Sequence, residues 1–209
     1  MRFRKVIIPL MILGAMWLSG CGGGGSDGPL DEVGQRYTAY LVVLDNDDPV
    51  VQVDTIQDDC DGTPEEYSDT LAEVDITVSP DALGITLDRY TIEYIPLDVP
   101  FVGGQFRSPT LNNPIGGNAI FSVGPGGSET LPVFTLISVS TKLEFNQDMG
   151  WLYFDAGLND WVYDYPPAPD QPQEGRYTIR MKLYFEDTAG EERVIRVERT
   201  AWFKDYNNC

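Results

Sequence analysis

Carboxylates are the one abundant reactive group in this chain of 209 residues, which holds 33 Asp and Glu and no histidine. Without histidine, Ser-His-Asp and Cys-His nucleophile arrangements and the usual zinc sites are excluded. Two acidic runs, Asp45-Asn46-Asp47-Asp48 and Asp58-Asp59-Cys60-Asp61-Gly62, are dense enough to suggest calcium. That cation takes about six to eight oxygen ligands. The candidate ligands are Asp45, Asp47, Asp48, Asp58, Asp59 and Asp61. A solvated acidic turn explains the same residues and is the commoner case. A carboxylate pair could also serve glycoside hydrolysis, but among so many acidic side chains the sequence selects no pair. Gly103-Gly104, Gly116-Gly117 and Gly126-Gly127 sit in turn-like contexts. They lack the strand-then-helix setting of a phosphate or dinucleotide loop. No cofactor is expected beyond the calcium alternative, and no catalytic residue is assigned.

The second acidic run looks like part of an EF-hand loop at Asp59-x-Asp61-Gly62. It departs from that pattern at the first ligand position, Gln57, and at the last, where Ser68 stands in place of Glu. The densest aromatic region is Trp151-Leu152-Tyr153-Phe154 together with Trp161-Val162-Tyr163-Asp164-Tyr165. If exposed, Trp151, Tyr153, Trp161 and Tyr163 would form a platform for sugars or a protein partner, because rings offer large contact area at low entropic cost. Burial in the core is the commoner use of such residues.

The first twenty residues differ from all that follows. Arg2, Arg4 and Lys5 precede the almost purely apolar stretch from Val6 to Leu18. This is the layout of a secretory signal peptide, and the apolar run is short of the roughly 20 residues a membrane-spanning helix needs. Leu18-Ser19-Gly20-Cys21 resembles the lipobox of bacterial lipoproteins. The resemblance implies cleavage before Cys21, a diacylglyceryl thioether on its sulfur and usually an acyl chain on the new amino group. Two lipid signals already anchor a protein stably, so such a chain would be held on its membrane. The residue after the cysteine is Gly22 and not Asp, which by the same resemblance favours the outer membrane. Gly22-Gly23-Gly24-Gly25-Ser26-Asp27-Gly28-Pro29 then reads as a flexible tether, spanning about 15 Å.

Removing residues 1–20 leaves 189 and takes away three basic residues and no acidic one, so the net charge of −19 becomes −22. Such a surface repels nucleic acid and anionic headgroups, and neither is expected as a ligand. The expected partners are the membrane, through the N-terminal lipid, and an envelope protein or glycan. The acidity is uneven. Residues 31–99 carry eighteen acidic residues against Arg36 and Arg89, while Arg176, Arg180, Lys182, Arg193, Arg196, Arg199 and Lys204 cluster near the end. Internal pairing of strands is the simpler explanation, and a charge-patterned docking face the sharper one. Cys60 and Cys209 are the other two cysteines, and in an oxidising compartment they are expected to form one disulfide.

Period-2 patterns dominate the body, and long helical periodicity is absent. Strands are expected over 35–44, 72–78, 85–95, 119–123, 131–139, 151–154 and 161–165. The clearest feature is a hairpin. Tyr177, Ile179, Met181, Leu183 and Phe185 alternate with polar residues up to Asp187-Thr188-Ala189-Gly190, and Ile195, Val197, Ala201 and Phe203 alternate back. Arg199 breaks the return pattern, as at an edge or bulge. Residues 98–118 read as a long loop.

The expected fold is all-β, an antiparallel β-sandwich of roughly eight strands. Residues 1–20 form the signal, 21–30 the lipidated cysteine and linker, and 31–209 a single domain; a break into two small domains is the alternative. Gly175-Arg176-Tyr177-Thr178-Ile179 and the hairpin that follows resemble the closing strands of immunoglobulin-like or fibronectin-like domains, over about 35 residues. The usual cysteine and tryptophan spacing is missing. The resemblance implies a tyrosine corner at Tyr177. The expected function is non-enzymatic: a lipid-tethered module that binds or scaffolds in the cell envelope. The alternatives are a carbohydrate-binding or carbohydrate-processing lipoprotein using the 151–165 aromatics, and a calcium-stabilised adhesion module.

Overall fold

The computed structural model describes residues 36–44, 48–55, 68–112, 115–163 and 170–206. Two sheets make a β-sandwich. The first runs β1-β3-β8, with β1 at Tyr37–Val43, β3 at Thr70–Val78 and β8 at Ser128–Ile137. The second runs β2-β12-β11-β4-β7, with β2 at Val51–Asp54, β4 at Ile85–Pro96, β7 at Ile115–Val123, β11 at Gly175–Asp187 and β12 at Glu192–Lys204. Neighbours in these sheets are antiparallel, except that β2 runs parallel to β12. If the strands are lettered A, A′, B, C, C′, E, F and G along the chain, the sheets read A-B-E and A′-G-F-C-C′. This is the strand order of an immunoglobulin-like sandwich.

Alternation along the strands builds the core. Tyr177, Ile179, Met181, Leu183 and Phe185 of β11 point inward and are fully or nearly fully buried. They face Tyr37, Ala39 and Leu41 of β1 and Ala72, Val74 and Ile76 of β3, all part of the same cluster. Polar bonds also tie the layers together, since the Tyr94 hydroxyl crosses from β4 to the Leu136 carbonyl of β8 at 2.7 Å. Burying such a side chain stabilises by about 1.5–3 kcal/mol, and the inward rows contain many.

Arg199 lies on the inward row of β12. Strand β2 borders β12 from Ala201 onward, so β12 is an open edge at Arg199. The side chain turns there toward the edge: its terminal nitrogen donates to the Asp48 carbonyl at 3.0 Å, the guanidinium lies 5.9 Å from the Tyr40 ring centre, and Nε stays buried.

Three features depart from the sequence expectation. Residues 98–118 are not one loop, because β5 at Asp98–Phe101 pairs with β6 at Gly104–Arg107 and β7 begins at Ile115. A helix, α1, spans Val139–Asp148 where helical periodicity is not evident. Its buried residues are Thr141, Lys142, Phe145 and Asn146, so the inward face is mostly polar and shows no apolar stripe. Ser138 caps it by accepting from the Thr141 N–H at 3.2 Å, and Gly150, at φ 74°, ends it. Tyr177 is not a tyrosine corner, because its hydroxyl donates to the Pro109 carbonyl at 2.9 Å, on a distant segment and not a few residues upstream.

The fold has two distinct poles. At the entry pole the Arg36 carbonyl accepts from the Ser79 N–H at 2.8 Å, and Tyr37 packs on Phe185 at 5.2 Å, next to the β11–β12 turn. At the far pole Phe145 of α1 meets Tyr177 and Phe203 at 6.2 and 5.1 Å. Tyr177 and Phe185 are eight residues apart on one strand, which puts about 27 Å between the poles. Helix α1, the β5–β6 hairpin and a second hairpin, β9 at Leu152–Asp155 with β10 at Asp160–Tyr163, all decorate the far pole.

Candidate functional site

The β9–β10 hairpin projects from the far pole just after α1. Its register sets Phe154 directly opposite Trp161, and the two rings meet edge to face with centres 5.6 Å apart. They are 50% and 53% exposed. The turn is stiffened locally. The Asp155 carboxylate accepts from the Gly157 and Leu158 N–H groups at 2.7 and 3.2 Å. Asn159 takes the left-handed conformation, φ 54°, that its residue type tolerates. Tyr153 is also exposed but belongs to the other face of the hairpin, opposite Val162.

Beside the base of this hairpin lies a cleft of about 710 Å³. Phe106 and Arg107 of β6, Asp148 at the end of α1, Trp151 and Gln171 contribute to its walls. Arg107 is exposed and pairs with Asp98 at 3.4 Å, a geometry worth little in water. The cleft therefore offers a guanidinium, a carboxylate and an amide on the same pole as the exposed rings. Together these donate and accept hydrogen bonds in both senses.

Of the four rings expected to form a platform, the structure removes one. Trp151 is 2% exposed and packs edge-on against Phe145 at 5.3 Å, so it is a core residue. Trp161 and Tyr153 are exposed on opposite faces of the hairpin, and Phe154, absent from the expected set, is the partner of Trp161. Tyr163 is paired in the backbone with Leu152, and its side chain lies outside the described residues. The sequence signal that could have found Phe154 is its symmetric placement with Trp161 about the Ala156-Gly157-Leu158-Asn159 turn.

Of the expected calcium ligands, Asp48 is described, and its carboxylate accepts from the Gln52 side-chain amide. Asp45, Asp47, Asp58, Asp59 and Asp61 lie outside the described residues, as do Cys21, Cys60 and Cys209. Among the described residues, no three His, Cys, Asp or Glu side chains converge as a metal site.

The basic C-terminal strands are matched internally. On the outer face of the larger sheet Arg180 pairs with Glu198 and lies 3.9 Å from Glu93, while Lys182 reaches Glu93 at 2.6 Å. Arg176 pairs with Glu174, and Arg193 with Asp187 and Glu191. Among the described ion pairs, Glu93 is the contribution of residues 31–99 to this ladder; the other acids lie in the C-terminal region itself. Register sets Arg180 directly opposite Glu198 and Glu93, whereas Lys182 reaches Glu93 diagonally and itself stands opposite Arg196.

A second concavity, of about 820 Å³, lies on the outer face of the larger sheet near the entry pole. There the Arg89 guanidinium stacks on Tyr184 at 4.6 Å, between the exposed side chains of Ile120 and Val194. Irregular pairing around Asp88 and Arg89 and at Tyr184 bends the sheet here. The sequence trace of this site is the adjacent polar pair Asp88-Arg89 interrupting the alternation of β4.

No protein-family model matches the chain, and no curated protein does. Among solved structures, it is similar to a protein described as late embryogenesis abundant (LEA), with a TM-score of 0.34 and 13% identity over 79% of this chain and 70% of that one. A β-glucosidase from Listeria innocua, solved in complex with glucose, gives a TM-score of 0.30 and 9% identity over 82% of this chain and 16% of the enzyme. Neither likeness carries an argument about function, and the fold rests on the strand order itself.

Proposed function

We propose that this chain is a lipid-anchored lipoprotein of the bacterial outer membrane whose β-sandwich is a non-catalytic binding or scaffold module of the cell envelope. The observation that supports this reading best is the polarity of the fold. The chain enters the sandwich at Arg36, beside the β11–β12 turn, and the exposed aromatic hairpin with its cleft stands at the opposite pole. With lipid on Cys21 and a glycine-rich tether from Gly22 to Pro29, the entry pole is on average the nearer to the membrane and the far pole the further from it. The tether lets the domain sample orientations, while the anchor fixes its location.

A disulfide between Cys60 and Cys209 belongs to the same reading. The segments that carry these cysteines leave the described fold side by side, since the Thr55 N–H donates to the Lys204 carbonyl at 3.2 Å. Each cysteine lies five residues beyond its side of that bond, and five extended residues reach about 17 Å. Two such arms can meet.

Growth with a labelled fatty acid tests the anchor. The wild-type chain takes up label and fractionates with outer membrane, whereas Cys21→Ser takes up none. Persistent labelling of Cys21→Ser overturns the proposal. A photo-crosslinking residue placed at exposed Leu158 tests the orientation. It should capture an envelope component reproducibly, whereas the same probe at Asp81, on the entry pole, should capture lipid or nothing.

A further inference from the structure

We infer that the far pole is a binding site for neutral or N-acetylated oligosaccharides, read by the Phe154–Trp161 pair and the cleft on the same pole. The inference rests on the reading of the chain as an envelope binding module and names the ligand class of its outward pole.

A pyranose ring has an apolar face of C–H bonds and a rim of hydroxyls, each both donor and acceptor. A protein holds the face with an exposed aromatic ring and the rim with side chains that chelate neighbouring hydroxyls. Both parts are present here. Trp161 and Phe154 are half exposed yet fixed. Cross-strand pairing and edge-to-face packing brace each ring on the other, and the Asp155 bonds to Gly157 and Leu158 hold the turn. Rings already ordered lose little entropy on binding. Three residues before Phe154 in the chain, Trp151 lines a cleft on the same pole that also carries Arg107, Asp148 and Gln171. The guanidinium donates, the carboxylate accepts and the amide does both, which suits a rim of hydroxyls.

The charge distribution narrows the class. Asp148 lines the cleft and Asp155 and Asp160 flank the platform, while of the basic residues at this pole Arg107 is paired with Asp98 and Arg176 with Glu174. Uronic acids, sulfated sugars and phosphate-bearing glycans would meet repulsion there, and uncharged sugars would not. The size of the platform argues against a protein partner. A protein interface covers a patch of roughly 800 Å² per partner, with its hot spots enclosed by contacts of little energetic consequence. Here the exposed rings stand on a narrow hairpin of two four-residue strands, with the cross-strand pair Asp155 and Asp160 next to them in the chain.

Isothermal titration of the full lipidated chain in neutral detergent tests this. The probes are cellohexaose, maltohexaose, xylohexaose and chitohexaose, with oligogalacturonate as the anionic control. At least one neutral or N-acetylated hexamer should bind saturably and change tryptophan fluorescence. Trp161→Ala should weaken it by about tenfold or more at an unchanged unfolding midpoint, and Arg107→Ala by a smaller factor. Phe154→Ala is the second variant, in case Trp161→Ala disturbs the hairpin. Absence of binding by all four hexamers overturns the inference. So does binding that survives both aromatic variants, or a preference for oligogalacturonate. If no sugar binds but a crosslinker at Leu158 captures an envelope protein, the glycan assignment fails while the envelope-module reading stands. If Cys21→Ser still carries lipid label, the module reading fails on its own evidence.

Discussion

Phe145 of α1 meets Trp151 edge-on at 5.3 Å, and that contact separates the two tryptophans of the aromatic region. Trp151 is buried and Trp161 is half exposed. Trp151→Ala should therefore cost about 3–5 kcal/mol in a denaturant titration, the usual price of emptying a large core site. Trp161→Ala should cost less than about 1 kcal/mol, because it forfeits one ring pair and little burial. Equal costs for the two would show that the hairpin is docked in the core.

Gly175 begins β11 beneath the same Phe145 ring. A Cβ at that position would overlap two ring carbons of Phe145, one of them at 2.8 Å. Gly175→Ala should destabilise by about 1–3 kcal/mol through overpacking. Phe145→Leu frees that space at its own cost, so the two changes should be less harmful together than their sum. Additive losses in a double-mutant cycle would contradict the contact.

How much of this was legible in the sequence depends on what each residue had to reveal. The β11–β12 hairpin is visible because Tyr177 to Phe185 and Ile195 to Phe203 alternate over lengths that few other structures produce. Strands β2, β5 and β6 have four residues each, too short for a period of two to stand out. Helix α1 is hidden because Thr141, Lys142 and Asn146 take inward positions that an amphipathic pattern assigns to apolar residues. The aromatic region is visible as composition, but the division of labour between Trp151 and Trp161 is set by where α1 ends, at Met149 and Gly150. The polarity between Arg36 and the hairpin is a property of strand order and appears in no local segment.

Asp187 ties the β11–β12 turn together. Its carboxylate is buried and accepts from the Glu191 and Ala189 N–H groups at 3.0 Å and from Arg193 Nε at 3.1 Å. The Glu191 backbone bond, then Arg193 and Ala189, hold its pKa below the usual carboxylate range despite burial. A depressed folded pKa contributes stability that is present above the unfolded value, near 3.8, and lost as pH falls through the folded one. Asp187→Asn should lower the thermal midpoint at pH 7. The gap from wild type should narrow steadily below about pH 4. A gap that is constant down to pH 2 would mean that the ionised carboxylate contributes nothing.

Two buried tyrosines contribute to the alkaline limb. Burial pushes the phenols of Tyr94 and Tyr177 well above their ordinary range, and nearby carboxylates, Glu144 for both and Asp148 for Tyr177, add to the shift. Their hydroxyls donate to Leu136 and Pro109 carbonyls, which ionisation would forbid. With the folded pKa raised, stability is fully present below the unfolded value of about 10. It is lost above that value, because the unfolded chain ionises while the folded one resists. Each tyrosine should contribute a fall of up to about 1.4 kcal/mol per pH unit there. Tyr94→Phe should cost about 1 kcal/mol at neutral pH for the lost hydrogen bond and make the slope above pH 10 shallower. Tyr177→Phe should do the same and also release Pro109, loosening the segment that forms one wall of the far-pole cleft. Unfolding free energies measured from about pH 8 to 11.5 decide it: an unchanged alkaline slope in both variants would mean that these phenols titrate as freely in the fold as out of it.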